Sequence, residues 1–225
     1  MLIIKRLLPF GLMAFVSVSL ANYPYIGLGI GIDHFSEHVV FTDQQIPTNN
    51  GNAEFAATSP IGTAFGGYAF DFYAQWVAGL EFFGIFQNNN TTIISSNGSA
   101  NFKHNTSYGL RLVPTYQIVP DADIHAIIGY TRTQVTLQDN GGLIPQNNGP
   151  VPNFTSYLNG FQVGLGTGLS IGYGFILRAD MIYNGYANFT DTAPYNNANL
   201  SSLDFFTYNN SLNDLLGLVS LSYAF

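Results

Sequence analysis

Ile26-Gly27-Leu28-Gly29-Ile30-Gly31-Ile32-Asp33 alternates a large aliphatic residue with glycine or a carboxylate. A period of two is that of a β-strand, whose successive side chains point to opposite faces. One face of this segment is greasy and the other nearly bare. The same parity recurs downstream. Tyr108, Leu110 and Leu112 alternate with Ser107, Gly109 and Arg111, and Ile124, Ala126, Ile128 and Tyr130 with His125, Ile127, Gly129 and Thr131. Phe161, Val163, Leu165, Thr167 and Leu169 alternate with Gln162, Gly164, Gly166, Gly168 and Ser170. Leu177, Ala179, Met181 and Tyr183 alternate with Arg178, Asp180 and Ile182, and Leu215 to Phe225 repeats the pattern. Two aromatic-rich runs, Thr63 to Phe72 and Gln75 to Phe86, are less regular. The reading gives eight strands over 23–35, 61–72, 75–87, 102–118, 123–138, 157–171, 174–188 and 212–225. The count becomes ten if a long connector hides a hairpin. Short connectors near Phe72-Tyr73-Ala74, Pro120-Asp121 and Gly172-Tyr173 alternate with long ones at about 36–60, 88–101, 139–156 and 189–211. Short-long alternation marks an up-and-down meander with two unlike rims.

Composition chooses the solvent. Charged residues make up 8% of the 225, against about 25% in an ordinary soluble domain. The apolar stripes are too wide to fit inside a narrow barrel, so they face lipid and the glycine-rich stripes face inward. A sheet in hydrocarbon has no water for its backbone and must close on itself. Eight strands enclose just enough room for side chains. The alternative weighed against this is a secreted β-sandwich or lipocalin-like barrel. No stretch after residue 21 approaches the roughly 18 to 20 apolar residues of a spanning helix. The six Lys and Arg are scattered, which excludes nucleic acid as a partner. Cysteine is absent, so there is no disulfide frame or thiolate metal site.

Met1 to Ala21 reads as a signal peptide, with Lys5-Arg6 before the apolar run Leu7–Leu20, and cleavage expected between Ala21 and Asn22. Residues 22–225 then form one barrel domain, exported through the periplasm. Removing two of six basic residues leaves 4 − 13 = −9 formal charges.

The chain ends Leu221-Ser222-Tyr223-Ala224-Phe225. A terminal aromatic with Tyr223 and Leu221 two and four places before it is similar to the assembly signal of bacterial outer-membrane barrels. With the opening Tyr25-Ile26-Gly27-Leu28-Gly29-Ile30-Gly31, the mature chain resembles the small OmpA-like/opacity-type outer-membrane family. The resemblance implies an all-β, eight-stranded antiparallel up-and-down transmembrane β-barrel with short periplasmic turns and four long extracellular loops. It implies location in the bacterial cell outer membrane, outer-membrane lipid as solvent, and recognition of the C-terminal strand by the barrel-assembly machinery. It also implies a surface protein with an envelope-structural or adhesive role. Because Phe225 closes the sequence, no peptidoglycan-binding domain is expected after the barrel. Two other functions stay open: a narrow passage for small or apolar solutes, and an enzyme acting on lipids or peptides.

Site expectations follow from parity. Glu81, Arg111, Arg178, Asp180 and His125 fall on inward faces, and isolated charges there are costly unless paired. A structural carboxylate–guanidinium network of Glu81, Arg111, Arg178 and Asp180 is therefore expected, with no catalytic residue, cofactor or metal. The long connectors are rich in Asn, which tolerates turns. They carry carboxylates and almost no base, so a host-surface or glycan ligand, if any, is recognised through neutral polar groups and Tyr. Two motifs imitate chemistry. Gly168-Leu169-Ser170-Ile171-Gly172 has the spacing of a nucleophile elbow but runs into another strand, and no His follows His125. His34-Phe35-Ser36-Glu37-His38 has the H-x-x-E-H order, which serves zinc only on a helix. Trp76, Tyr73, Tyr116 and Tyr130 read as interfacial girdle aromatics.

Overall fold

The computed structural model describes residues 22–43, 50–73, 75–95, 98–140, 153–195 and 204–225. The expected signal peptide and Ala21 lie outside them. Its elements are β1 (Tyr23–Asp43), β2 (Gly51–Tyr73), β3 (Trp76–Phe86), β4 (Asn89–Ser95), β5 (Gly98–Val119), β6 (Ala122–Asn140), β7 (Asn153–Gly172), β8 (Phe175–Tyr186), β9 (Phe189–Tyr195) and β10 (Asp204–Ala224). Neighbours run β1-β2-β3-β5-β6-β7-β8-β10, all antiparallel, and β10 pairs back with β1. The ring therefore has eight members. Closure is continuous from Tyr25 opposite Ala224 to Asp43 opposite Phe206, and Phe225 N donates to the Pro24 carbonyl at 3.0 Å.

The two short strands continue others. β4 lies on β5 beyond β3, after a break at Gln87-Asn88, and β9 lies on β10 beyond β8, after a break at Ala187-Asn188. The three tight turns fall within a residue or two of their sequence-based positions. At the β7–β8 turn Gly172, Tyr173 and Gly174 all have positive φ (92°, 54° and 82°), which suits the mirror-image turns that match strand twist.

The lower half of the wall, next to the tight turns, carries the expected lipid face. Ile26, Leu28, Ile30 and Ile32 are all more than half exposed, and Leu110, Leu112, Ile128, Leu165, Met181 and Val219 share that surface. Aromatic pairs edge it. Trp76 packs on Tyr116 (5.0 Å), and Tyr223 on Phe175 (4.9 Å) and Phe225 (5.0 Å), at the turn side. Phe161 and Tyr183 (6.0 Å) mark the upper edge, where the Tyr130 and Tyr183 hydroxyls donate to Asn159 (2.6 Å) and Asn213 (2.7 Å).

Above that edge the strands run further than the sequence suggested, so much of each long connector is sheet. The first narrows to the segment between Asp43 and Gly51. Polarity also inverts. Outward positions become Ser36, His38, Glu54, Thr58, Lys103, Thr136 and Thr155, linked across strands by pairs such as Thr92–Asn101 (2.5 Å) and Thr190–Asn209 (2.6 Å). Inward positions become Phe35, Val39, Phe55, Phe102, Val135, Leu137, Tyr208 and Leu212, all essentially buried. The ladders explain this. In the upper half β2 (Gly51 to Ile61) pairs only with β1, and β7 (Asn153 to Asn159) only with β6. Among the described residues the wall thus lacks a backbone ladder at two slits, one between β2 and β4, bridged where the Thr91 hydroxyl donates to the Ala56 carbonyl (3.2 Å), and one between β7 and β9. They divide the upper half into two four-stranded leaves, β4-β5-β6-β7 and β9-β10-β1-β2. Facing leaves with an apolar filling form a β-sandwich, here standing on a lipid-embedded barrel. A sheet in water hides its apolar face; a sheet in hydrocarbon shows it. The same period-two pattern serves both, with the parity of apolar residues reversed.

Candidate functional site

The barrel interior is stacked in layers, starting from the glycine stripes. A Cβ on Gly27 would overlap the Phe65 ring, and one on Gly79 would overlap the Tyr25 hydroxyl. Bare positions on one wall therefore receive large side chains from another. The lower lumen holds Tyr25, Phe65, Phe83, Val113, Ile127, Ile182 and Leu216. This is more apolar than the inward faces suggested, because the glycines leave room for it.

Within that packing sits a charged layer. Glu81 accepts from Arg111 Nε at 2.5 Å through Oε2, and from Arg178 Nη1 (2.5 Å) and the Tyr25 hydroxyl (2.9 Å) through Oε1. Arg178 Nη2 reaches Asp180 Oδ2 at 3.4 Å. Asp180 Oδ1 lies 2.7 Å from His125 Nε2, whose other ring nitrogen is 3.0 Å from Asp123. The Arg111 guanidinium also stands 5.5 Å and 5.0 Å from the Phe65 and Phe83 rings, and that of Arg178 5.1 Å from Phe65. The structure thus brings Glu81, Arg111, Arg178 and Asp180 into contact. Two cations meet two carboxylates and the edge of an imidazole, so this layer is close to neutral. Below it a pocket of about 200 Å³ opens toward the tight turns, lined by Tyr23, Asp121, Asp123 and His125, and ends on the Glu81–Arg178 pair.

A second polar layer sits where the barrel divides into leaves. β5 changes register between His104 and Ser107, beside the break between β3 and β4. Bulges re-aim side chains, and this one gathers Gln87, Asn89, His104, Ser107 and Thr133 inside. Across the lumen stand Asp33 on β1 and Asp214 on β10. His104 Nδ1 is 3.7 Å from Asp33 Oδ2 and 3.5 Å from Asp214 Oδ1, and all three residues are buried. Asn89 Nδ2 donates to Asp33 Oδ2 (2.5 Å) and the Tyr186 hydroxyl to Asp214 Oδ2 (2.9 Å). Sequence reasoning missed this cluster. Asp33 has the inward parity, but the bulge at Asn105-Thr106 hides that of His104.

The motifs that imitate catalytic sites come apart. Strand alternation sends His34 and His38 outward, to Thr58 (2.8 Å) and Glu54 (3.6 Å), while Glu37 is fully buried inside. Ser170 lies two residues before the end of β7, its amide donating to the Asp121 carbonyl at 2.7 Å.

Among solved structures, OprG from Pseudomonas aeruginosa is similar to this chain with a TM-score of 0.54 at 10% identity, covering 91% of this chain and 95% of its own. The outer membrane protease OmpT from Escherichia coli gives 0.51 at 10% identity, covering 93% and 99%. Ail, the attachment invasion locus protein of Yersinia pestis, gives 0.43 at 11% identity, covering 90% and 99%. No curated protein matches. At these identities the likeness is one of fold. The family model described as outer membrane protein beta-barrel domain matches residues 7–209. The closed ring of strands is a β-barrel, as that description has it, and the chain belongs to the outer membrane protein β-barrel family.

Proposed function

We propose that this barrel is a sealed surface scaffold which presents the tips of its two leaves outside a bacterial cell, in an adhesive or envelope-structural role, and performs no turnover chemistry. The observation that carries the reading is the filled lumen. From the turn side upward, a path would meet the Glu81–Arg111–Arg178 layer, the Phe65/Phe83 packing, the Asp33–His104–Asp214 layer and then the Phe35–Phe55–Phe102 filling, with the residues of each layer almost entirely buried. The exposed hydroxyl–imidazole contact of Thr58 with His34 (2.8 Å) lies on the outer wall, away from the lumen. The segments between the upper strand ends, 44–50, 96–97, 141–152 and 196–203, are Asn-rich and carry no charged residue, so contacts through neutral polar groups with a glycan or protein suit them better than a polyanion.

Planar-bilayer recordings test the seal. Purified protein is expected to give no discrete conductance steps, and reproducible steps would favour the narrow-passage reading. On intact cells, antibodies against 141–152 are expected to bind without permeabilisation. The reading includes export by the segment 1–21 with cleavage between Ala21 and Asn22, and recognition of Leu221, Tyr223 and Phe225 by the barrel-assembly machinery. N-terminal sequencing of the membrane-embedded protein is expected to begin at Asn22, and Phe225→Ser to reduce the amount of folded barrel.

A further inference from the structure

The layer at the fork of the leaves holds more carboxyl groups than the chain supplies cations to pair with there. Of six Lys and Arg, Arg111 and Arg178 are committed to Glu81 and Asp180, and Lys103 and Arg132 point outward. Lys5 and Arg6 lie in the expected signal peptide. Asp33, Asp214 and Glu37 are nonetheless buried, with His104 between the first two. Asp33 Oδ1, Asp214 Oδ1, Asn89 Oδ1 and both Glu37 oxygens have no hydrogen-bond partner among the described residues. Buried oxygens left this way are rare and costly.

The spacing is informative. His104 Nδ1 stands 3.7 Å and 3.5 Å from one oxygen of Asp33 and one of Asp214. Hydrogen bonds need about 2.7–3.2 Å. Two donors sharing one tetrahedral ion at about 2.1 Å each stand roughly 3.4 Å apart. One atom from each of the three residues lies within 4.8 Å of the other two. The surroundings match as well. Asp33 and Asp214 each take a hydrogen bond, from Asn89 and Tyr186, on the pattern of outer partners that orient metal ligands. Thr133 Oγ1 lies 2.8 Å from His104 Nε2. Accepting Nε2–H there leaves the Nδ1 lone pair facing the two carboxylates. The Gln87 amide nitrogen touches both ring nitrogens, at 2.8 Å from Nε2 and 3.2 Å from Nδ1, and half a turn of that amide brings its unpartnered Oε1 to the Nε2 proton and withdraws the donor that competes with an ion for Nδ1.

We propose that Asp33, His104 and Asp214 form a binding site for a divalent first-row transition cation of the zinc or manganese class, with Asn89 Oδ1 or water completing the shell. One imidazole and two carboxylates suit those ions, and two carboxylates balance a 2+ charge. The ligands come from both leaves: β1 and β10 on one side, β5 on the other. The ion therefore pins the two sheets together where the slits begin. The slits, or refolding around the ion, give it entry.

The test uses the full chain folded in detergent micelles, with heat-modifiable gel migration as the criterion of folding and Co²⁺ and Zn²⁺ as probes. The expected result is one Co²⁺ per chain, with visible ligand-field bands that Zn²⁺ abolishes, and a higher temperature for loss of the folded band when metal is present. Binding is expected to weaken at least 100-fold in folded Asp214→Asn or His104→Gln, and to be unchanged in the doubly substituted His34→Ala/His38→Ala chain. Should both interior variants fail to fold, stoichiometric binding retained by the surface double variant supports the site. Absence of sub-millimolar binding in the folded chain overturns it. So does binding that disappears with His34 and His38, or that survives intact in a folded interior variant.

Discussion

At the scale of single residues, Glu81 organises the lower lumen. One carboxylate meets two guanidiniums and a phenol, whereas Asp180 reaches only the Arg178 guanidinium. Removing one partner of a buried pair costs about 3–5 kcal/mol, because the remaining charge is stranded. Glu81→Leu strands Arg111 and leaves Arg178 only its 3.4 Å contact with Asp180, and is expected to lower the heat-modification temperature more than Arg111→Leu or Arg178→Leu does. Arg111→Lys is also expected to destabilise, since a lysine keeps the charge but loses the planar stack on Phe65 and Phe83. Thermal midpoints in one detergent rank all four. The inward parity of Glu81, Arg111, Arg178 and Asp180 is readable from period-two alternation. The sharing of Glu81 by both arginines is not, because it depends on how far a side chain reaches across a closed lumen.

At the scale of elements, glycines with unlike reasons separate cleanly. Gly172 has φ +92° and nothing near the position of an added Cβ, while Gly62 also has open space and no such φ. Gly172→Ala is expected to cost about 1–2 kcal/mol from backbone strain alone, and Gly62→Ala to be neutral or slightly stabilising. Urea titrations of the refolded barrel check the pair. Phe102 lies between Phe35 (5.6 Å) and Phe55 (5.8 Å), at the meeting of the leaves. Phe102→Ala is expected to cost about 3–5 kcal/mol locally. Proteolysis above the lipid edge should rise while the membrane-embedded band survives. The lower strands were legible because lipid demands unbroken apolar alternation, as from Ile26 to Ile32. The upper strands were not. Ser36, His38 and Thr58 read as loop composition, and only the burial of Phe35, Glu37 and Val39 reveals a sheet with its greasy side turned in.

At the scale of the whole molecule, stability is expected to fall into two tiers. Below the fork every strand has two neighbours. Above it, β2 from Gly51 and β7 from Asn153 each keep one. Hydrogen exchange on the folded protein is expected to be faster in 51–61 and 153–159 than in 62–71 and 160–172. Uniform protection along β2 and β7 would show that the slits are shut.

The division of the upper half also regroups its four tips. The ends flanking 44–50 and 196–203 grow from the same sheet, built from the two extremities of the chain. Those flanking 96–97 and 141–152 grow from the other, built from its middle. Under the proposed adhesive role, a ligand that grips one duo contacts a single sheet, whereas one that straddles both duos spans the two sheets across the fork.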